Sequence, residues 1–164
     1  MAQERIAVIL AALDQAFDHK SWHGTNLRGA LRRVNAEMAA WRPAPGRHNI
    51  WELTLHAAYW KYTVRKRLLG EGRGSFALKG ANFWECPAAG ASGETDWKKD
   101  VALLLETHRT MREAIAALSD EDLPVVHPGH KVSTLDLLTG IAAHDLYHAG
   151  QIQLIKWLYA ARQE

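Results

Sequence analysis

Helical periodicity constrains this chain more than any other feature. Apolar residues recur at steps of three and four, the spacing that lines one face of an α-helix, along four long stretches: residues 4–18, 49–69, 95–118 and 133–160. No stretch shows the two-residue alternation of a convincing strand. The pattern predicts an all-α fold, because four amphipathic helices bury their apolar faces against one another in a bundle.

Capping signals predict where two of these helices begin. Asn49 and Glu52 stand in the N-cap and N3 relation of a capping box, and Gly70 marks the end of the helix that they start. Ser133 gives a similar signal for the last helix, whose predicted buried stripe begins at Leu135.

The connections between the long helices differ in character. Residues 27–34 are predicted as a short helix, and Asn35 caps one more turn. Residues 70–93 hold six of the twelve glycines and several aromatic residues. This segment is predicted to be a long loop between the second and third long helices that packs on the body through its aromatic side chains.

Length and composition exclude several classes of protein. A chain of 164 residues fits one domain spanning residues 1–164. The formal net charge is only +2 and no basic stripe is present, so nucleic-acid binding is not expected. The longest apolar run near the start has seven residues, which predicts neither a signal peptide nor a membrane partner. Cys86 is the only cysteine, which excludes an intrachain disulfide and cysteine zinc sites and suggests a cytoplasmic location.

Three of the nine histidines form the strongest functional signal. His144 and His148 are four residues apart on the last helix, in series with Ile141 and Ile152. This spacing brings two imidazoles close enough to chelate one ion. His56 lies on the core stripe of the second long helix and is predicted to face the same interior. Three nitrogen ligands with one open position are typical of a catalytic metal site.

Other readings of the histidines stay open at this point. His108 falls on the core stripe of the third long helix and could be a fourth ligand, an outer-sphere group, a substrate contact or a core histidine. With Asp145, the segment 144–148 departs from the His-Glu-x-x-His motif of zincins, and only sixteen residues follow it to supply a third ligand. The Glu-x-x-His pairs of di-iron bundles are absent from the sequence. A mononuclear site is therefore favoured.

The residues around these histidines resemble the DinB-like proteins. The resemblance rests on the run Ala-His-Asp-Leu-Tyr-His-Ala-Gly-Gln-Ile at residues 143–152, on His56, and on the turn Trp22-His23-Gly24, and it covers nearly the whole chain. It implies a four-helix bundle with up-down-down-up connectivity, a divalent metal held by His56, His144 and His148, and a homodimer. Relatives include S-transferases that use low-molecular-weight thiols, a mycothiol-dependent isomerase and many members with no assigned activity.

These observations predict a metal-dependent enzyme, either a thiol S-transferase or a hydrolase. The metal is expected to be zinc or nickel, with iron and copper as alternatives. Asp145 is the candidate catalytic residue, because it could orient a ligand ring or act as a base; the alternative is a polar residue that packs between helices. Gln151, His108 and Trp22 are the candidate contacts for a small-molecule substrate, and a thiol is the candidate cosubstrate. The alternative is a non-catalytic bundle stabilised by metal, or a small-molecule binding protein.

Overall fold

The computed structural model of the protein describes residues 3–71, 74, 76–80, 82–87 and 93–162. Within these ranges the chain forms six α-helices, one short 3₁₀-helix and no strand, so the all-α prediction is confirmed. One isolated antiparallel bridge pairs Val126 with Ser133. The helices are α1 (Glu4–Phe17), α2 (Leu27–Ala30), α3 (Ala36–Ala40), α4 (Ile50–Leu68), α5 (Glu94–Ala116) and α6 (Thr134–Ala161), and the 3₁₀-helix spans Asp120–Asp122.

The predicted capping signals operate at both helix starts. The Asn49 side chain accepts from the backbone N–H of Glu52 (2.8 Å), and the Glu52 carboxylate accepts from the backbone N–H of Asn49 (3.4 Å). Ser133 and Asp136 form the equivalent box at α6. Leu69 is the C-cap of α4, and Gly70 then adopts a φ of +60°, a conformation that glycine tolerates and other residues rarely adopt. Together these contacts fix the bounds of the two helices that carry the histidines.

The start of α1 is capped from a distance. Its N-cap residue, Gln3, makes no side-chain cap. The Asp120 carboxylate in the 3₁₀-helix instead accepts from the backbone N–H groups of Arg5 (3.1 Å) and Ile6 (3.0 Å). A carboxylate at a helix N-terminus also opposes the positive end of the helix dipole. The connection before α6 therefore holds the first helix in place.

Two apolar clusters form the core, and buried polar residues lie between them. One cluster joins the first part of α4, the first part of α5 and the last part of α6, and includes Trp51, Leu53, Leu104, Trp97 and Ile152. The other joins α1, the end of α4, the end of α5 and the first part of α6, and includes Ile6, Val64, Met111, Ile115 and Leu138. Three buried polar residues lie where a helix passes from one cluster to the other: Lys61 on α4, His108 on α5 and Asp145 on α6.

The structure corrects two of the predicted details. Leu135 is 42% exposed, because the buried stripe of α6 begins at Thr134 and Leu138 and leaves Leu135 one position out of register. The helix predicted over residues 27–34 closes after one turn at Ala30, and Arg33 follows with a φ of +61°.

The long loop predicted over residues 70–93 falls in part outside the described residues, at 72–73, 75, 81 and 88–92. In the described parts, the buried ring of Phe76 packs against Tyr59 and Tyr62 of α4, with ring centroids 5.5 Å apart in each pair. Among the described residues, none of the helices combines the length and apolar character that crossing a bilayer requires.

Candidate metal centre

Three imidazoles from two helices converge on one point. His56 comes from α4, and His144 and His148 come from α6 one turn apart. The Nε2 atom of His144 lies 3.0 Å from Nε2 of His56 and 3.0 Å from Nε2 of His148. One ligand atom from each ring lies within 4.8 Å of the others. His56 and His148 are buried and His144 is half-buried, so the cluster sits at the edge of the core.

Hydrogen bonds behind two of the rings set their tautomers. Nδ1 of His56 donates to the backbone carbonyl of Asn82 (2.8 Å), and Nδ1 of His148 donates to Oε1 of Gln151 (2.6 Å). A neutral ring with its proton on Nδ1 has a lone pair on Nε2. Two lone pairs therefore point at Nε2 of His144, which has at most one proton to offer. A divalent cation between the rings would satisfy all three nitrogens, so the cluster is compatible with a metal site.

The environment keeps these rings neutral. Burial, together with a smaller contribution from neighbouring histidines, lowers the pKa of His144 to about 3 and the pKa of His148 to about 4. Burial also lowers the pKa of His56. At neutral pH the lone pairs are available without the loss of a proton, which is the state that metal coordination requires.

Aromatic side chains cover one side of the cluster. The Phe83 ring stacks on His56 (centroids 4.0 Å apart) and on His48 (3.8 Å). Trp60 packs edge-on against His56, and its Nε1–H donates to the side-chain oxygen of Asn82 (3.0 Å). Asn82 has a φ of +72°, in the left-handed region. The segment at residues 82–83 is thus tied to α4 through both His56 and Trp60.

Asp145 lies next to the cluster in sequence but bonds elsewhere. Its side chain and that of Lys61 are both 0% exposed, and Lys61 Nζ donates to its two carboxylate oxygens at 2.7 and 2.5 Å. Burial raises the pKa of Asp145 and lowers the pKa of Lys61, while the opposite charge of each partner acts against these shifts. In the described part of the chain, the carboxylate of Asp145 bonds to Lys61 and not to a ligand ring. The pair joins α6 to α4 beside the histidines.

The three candidate substrate contacts lie in different places. Gln151 is brought to the cluster, where it orients His148. His108 is buried in the core, stacked on Phe17 with centroids 3.5 Å apart, and burial lowers its pKa to about 2. It is not part of the three-histidine group. Trp22 is 99% exposed and is not one of the three clustered residues.

Sequence reasoning missed Lys61, although a signal for its burial was present. Lys61 continues the stripe of Ala57, Val64 and Leu68 at steps of four, three and four, so its position predicts burial. Asp145 falls on the buried stripe of α6 in the same way. Opposite charges on two buried stripes favour a buried ion pair, since an unpaired charge is rarely buried. No such signal exists for the carbonyl of Asn82, which reaches His56 through the backbone of a loop.

A comparison with protein families matches residues 20–152 to the family described as the DinB superfamily. The matched region includes all three histidines of the cluster. No curated protein and no solved structure matches the chain.

Proposed function

The chain belongs to the DinB superfamily, and we propose that it is a metal-dependent enzyme whose single divalent ion is bound by His56, His144 and His148. The observation that carries this proposal is the convergence of three neutral Nε2 atoms, two of them on rings whose Nδ1–H groups already donate to oxygen. Such outer hydrogen bonds typically orient metal-ligating histidines.

Three imidazole ligands suit zinc and nickel, and we propose these two ions ahead of iron and copper. An ion held in this way would supply Lewis acidity, which lowers the pKa of a bound water toward about 7 and keeps a bound thiol as its thiolate.

The reaction that we propose is S-transfer from a low-molecular-weight thiol. The thiol loses its proton to solvent, its sulfur forms a bond to an electrophilic carbon, and the leaving group departs with the bonding electrons. The chain contributes position and surroundings. Asn82 and Gln151 hold two ligand rings, and Phe83 excludes water from one side of the cluster. Hydrolysis is the related reaction, with water in place of the thiol.

For Asp145 we propose a positioning role. Its carboxylate is occupied by Lys61, so its contribution is to hold α6 against α4 with the histidines facing one another. This arrangement keeps the ligands in place before metal binds, which reduces the conformational cost of binding.

We also propose that the chain is one domain with the up-down-down-up order of long helices. Support comes from contacts along the helices. Near the starts of α4 and α5, Trp51 donates to Asp100 (2.7 Å), as expected for helices that run in the same direction. Lys61 pairs with Asp145, and His56 packs against His148. The later residue of α4 thus contacts the earlier residue of α6, as expected for antiparallel helices.

Thiol consumption tests this function. Zinc- or nickel-loaded wild type would be mixed with a small thiol and 1-chloro-2,4-dinitrobenzene, beside a His56→Ala/His148→Ala variant and a control His19→Ala/His23→Ala variant. We expect the wild type and the control to consume thiol, and the cluster variant and the chelated wild type to show only the background rate. Equal rates in the wild type and the cluster variant would contradict the proposal. Stoichiometric metal without turnover would favour the non-catalytic alternative.

A further inference from the structure

We propose that a second site, at the carboxyl end of α4, binds a small organic anion. A cavity of about 690 Å³ lies there, and we name it the α4-end pocket. Its walls come from three parts of the chain: the last turns of α4, the described residues 70, 71, 74, 76 and 78–80, and residues 127, 128 and 130. The volume falls within the range typical of small-molecule sites, about 300–1,000 Å³.

The charges around the α4-end pocket are mostly positive. Lys66 and Arg67 enter it from α4, and Lys79 enters from the following segment. The one carboxylate among the described lining residues, Glu71, is paired with Arg65 at 3.1 Å. None of the three cations forms an ion pair with a carboxylate of the described residues, so their charges are not neutralised there.

The helix dipole accounts for only two of the three cations. Cations in the last turn of a helix are favoured by the negative end of its dipole, which explains Lys66 and Arg67. Lys79 comes from a different segment, and His127 and His130 add two half-buried imidazoles from the connection before α6. Cations and hydrogen-bonding groups that converge from separate segments are suited to a carboxylate or phosphate group.

Aromatic rings form the floor of the pocket. Tyr59 and Tyr62 both pack on the buried ring of Phe76. Lys66 Nζ lies 5.7 Å from the centre of the Tyr62 ring, so charge and aromatic surface are adjacent. A ligand that carries an anionic group on an apolar body would use both surfaces. The chemical class is therefore an aromatic or aliphatic carboxylate or phosphate ester.

The α4-end pocket is distinct from the histidine cluster. Its lining includes none of the three histidines. The nearest link is Tyr59, which packs against Trp60 with ring centroids 5.7 Å apart, and Trp60 in turn packs on His56. Binding of the anion is therefore expected without metal, so the proposal does not rest on the proposed function.

Calorimetric titration of the metal-free protein tests the proposal, with phenyl phosphate, benzoate and inorganic phosphate as probes. The test variant is Lys66→Met/Lys79→Met. The matched control is Lys98→Met/Lys99→Met, which removes the same charge from the start of α5. Thermal unfolding followed by circular dichroism verifies that both variants are folded.

We expect phenyl phosphate, benzoate or both to bind the wild type and the control, with the preferred probe showing which anionic group the pocket selects. The test variant should bind at least about tenfold more weakly, as two charge-assisted contacts are lost. A His56→Ala/His148→Ala variant should bind as the wild type does. The proposal is overturned if neither organic anion binds, if inorganic phosphate binds as tightly as phenyl phosphate, if the test variant matches the control, or if the histidine variant loses binding.

Discussion

Lys61→Met is expected to destabilise the fold strongly, because it removes one partner of a buried ion pair. It leaves the carboxylate of Asp145, which is 0% exposed, without the Nζ that donates to it at 2.7 and 2.5 Å. Removal of one partner from a buried ion pair costs about 3–5 kcal/mol, because the remaining group is either charged and desolvated or forced to neutralise. For a chain of this length each kcal/mol lowers Tm by about 2–4 °C, so the expected decrease is about 6–20 °C.

The double variant Lys61→Met/Asp145→Leu separates the cost of an unpaired charge from loss of packing. With both charges replaced by apolar groups, we expect a free energy of unfolding close to that of the wild type. Both variants would be unfolded in urea and by heat as metal-free protein, so that bound metal does not mask the difference. A single variant within about 1 kcal/mol of the wild type would refute the reasoning, as would a double variant no more stable than the single one.

Three further outcomes are expected. Asn49→Ala removes the N-cap of α4 and the hydrogen bond that the side-chain amide donates to the carbonyl of Cys86 (2.6 Å). The free energy of unfolding, measured by thermal unfolding, should fall by about 1–3 kcal/mol, and an unchanged Tm would contradict this. Gln151→Leu removes the acceptor behind His148 and should weaken metal binding about 10–100-fold in competition with a chromogenic chelator, whereas unchanged affinity would exclude its orienting role. For the metal-free protein, the free energy of unfolding should keep its full value above pH ~6.5 and decrease toward pH ~4. In this range the histidines of the unfolded chain bind protons, whereas His144 and His148 of the folded chain, with pKa values of about 3 and about 4, stay neutral. Urea titrations that give the same free energy across this range would contradict the prediction.

The sequence predicted most of the secondary structure and the placement of the three histidines. Periodicity placed His56 and His148 on buried stripes, and local capping chemistry at Asn49 and Ser133 predicted two helix starts. These signals are local, because each depends on residues within one or two turns of the same helix. The structure brings the three rings together; that they bind a metal stays a prediction.

The remaining features depend on contacts between distant segments. The pairing of Lys61 with Asp145 spans 84 residues, and the support of His56 comes from a loop carbonyl 26 residues away. Periodicity does not reveal which residue a buried charge will meet. Trp22 shows a related limit, because its place in a turn did not predict that its side chain would be 99% exposed; its role as a substrate contact stays a prediction.

Metal content measures the central claim most directly. Untagged wild type would be equilibrated with zinc or nickel, freed of excess ion and analysed for metal beside the triple variant His56→Ala/His144→Ala/His148→Ala. A matched triple variant, His19→Ala/His23→Ala/His127→Ala, removes the same number of histidines elsewhere. The account predicts one ion per chain in the wild type and the matched control, and none in the cluster variant. Equal metal in all three proteins would contradict it.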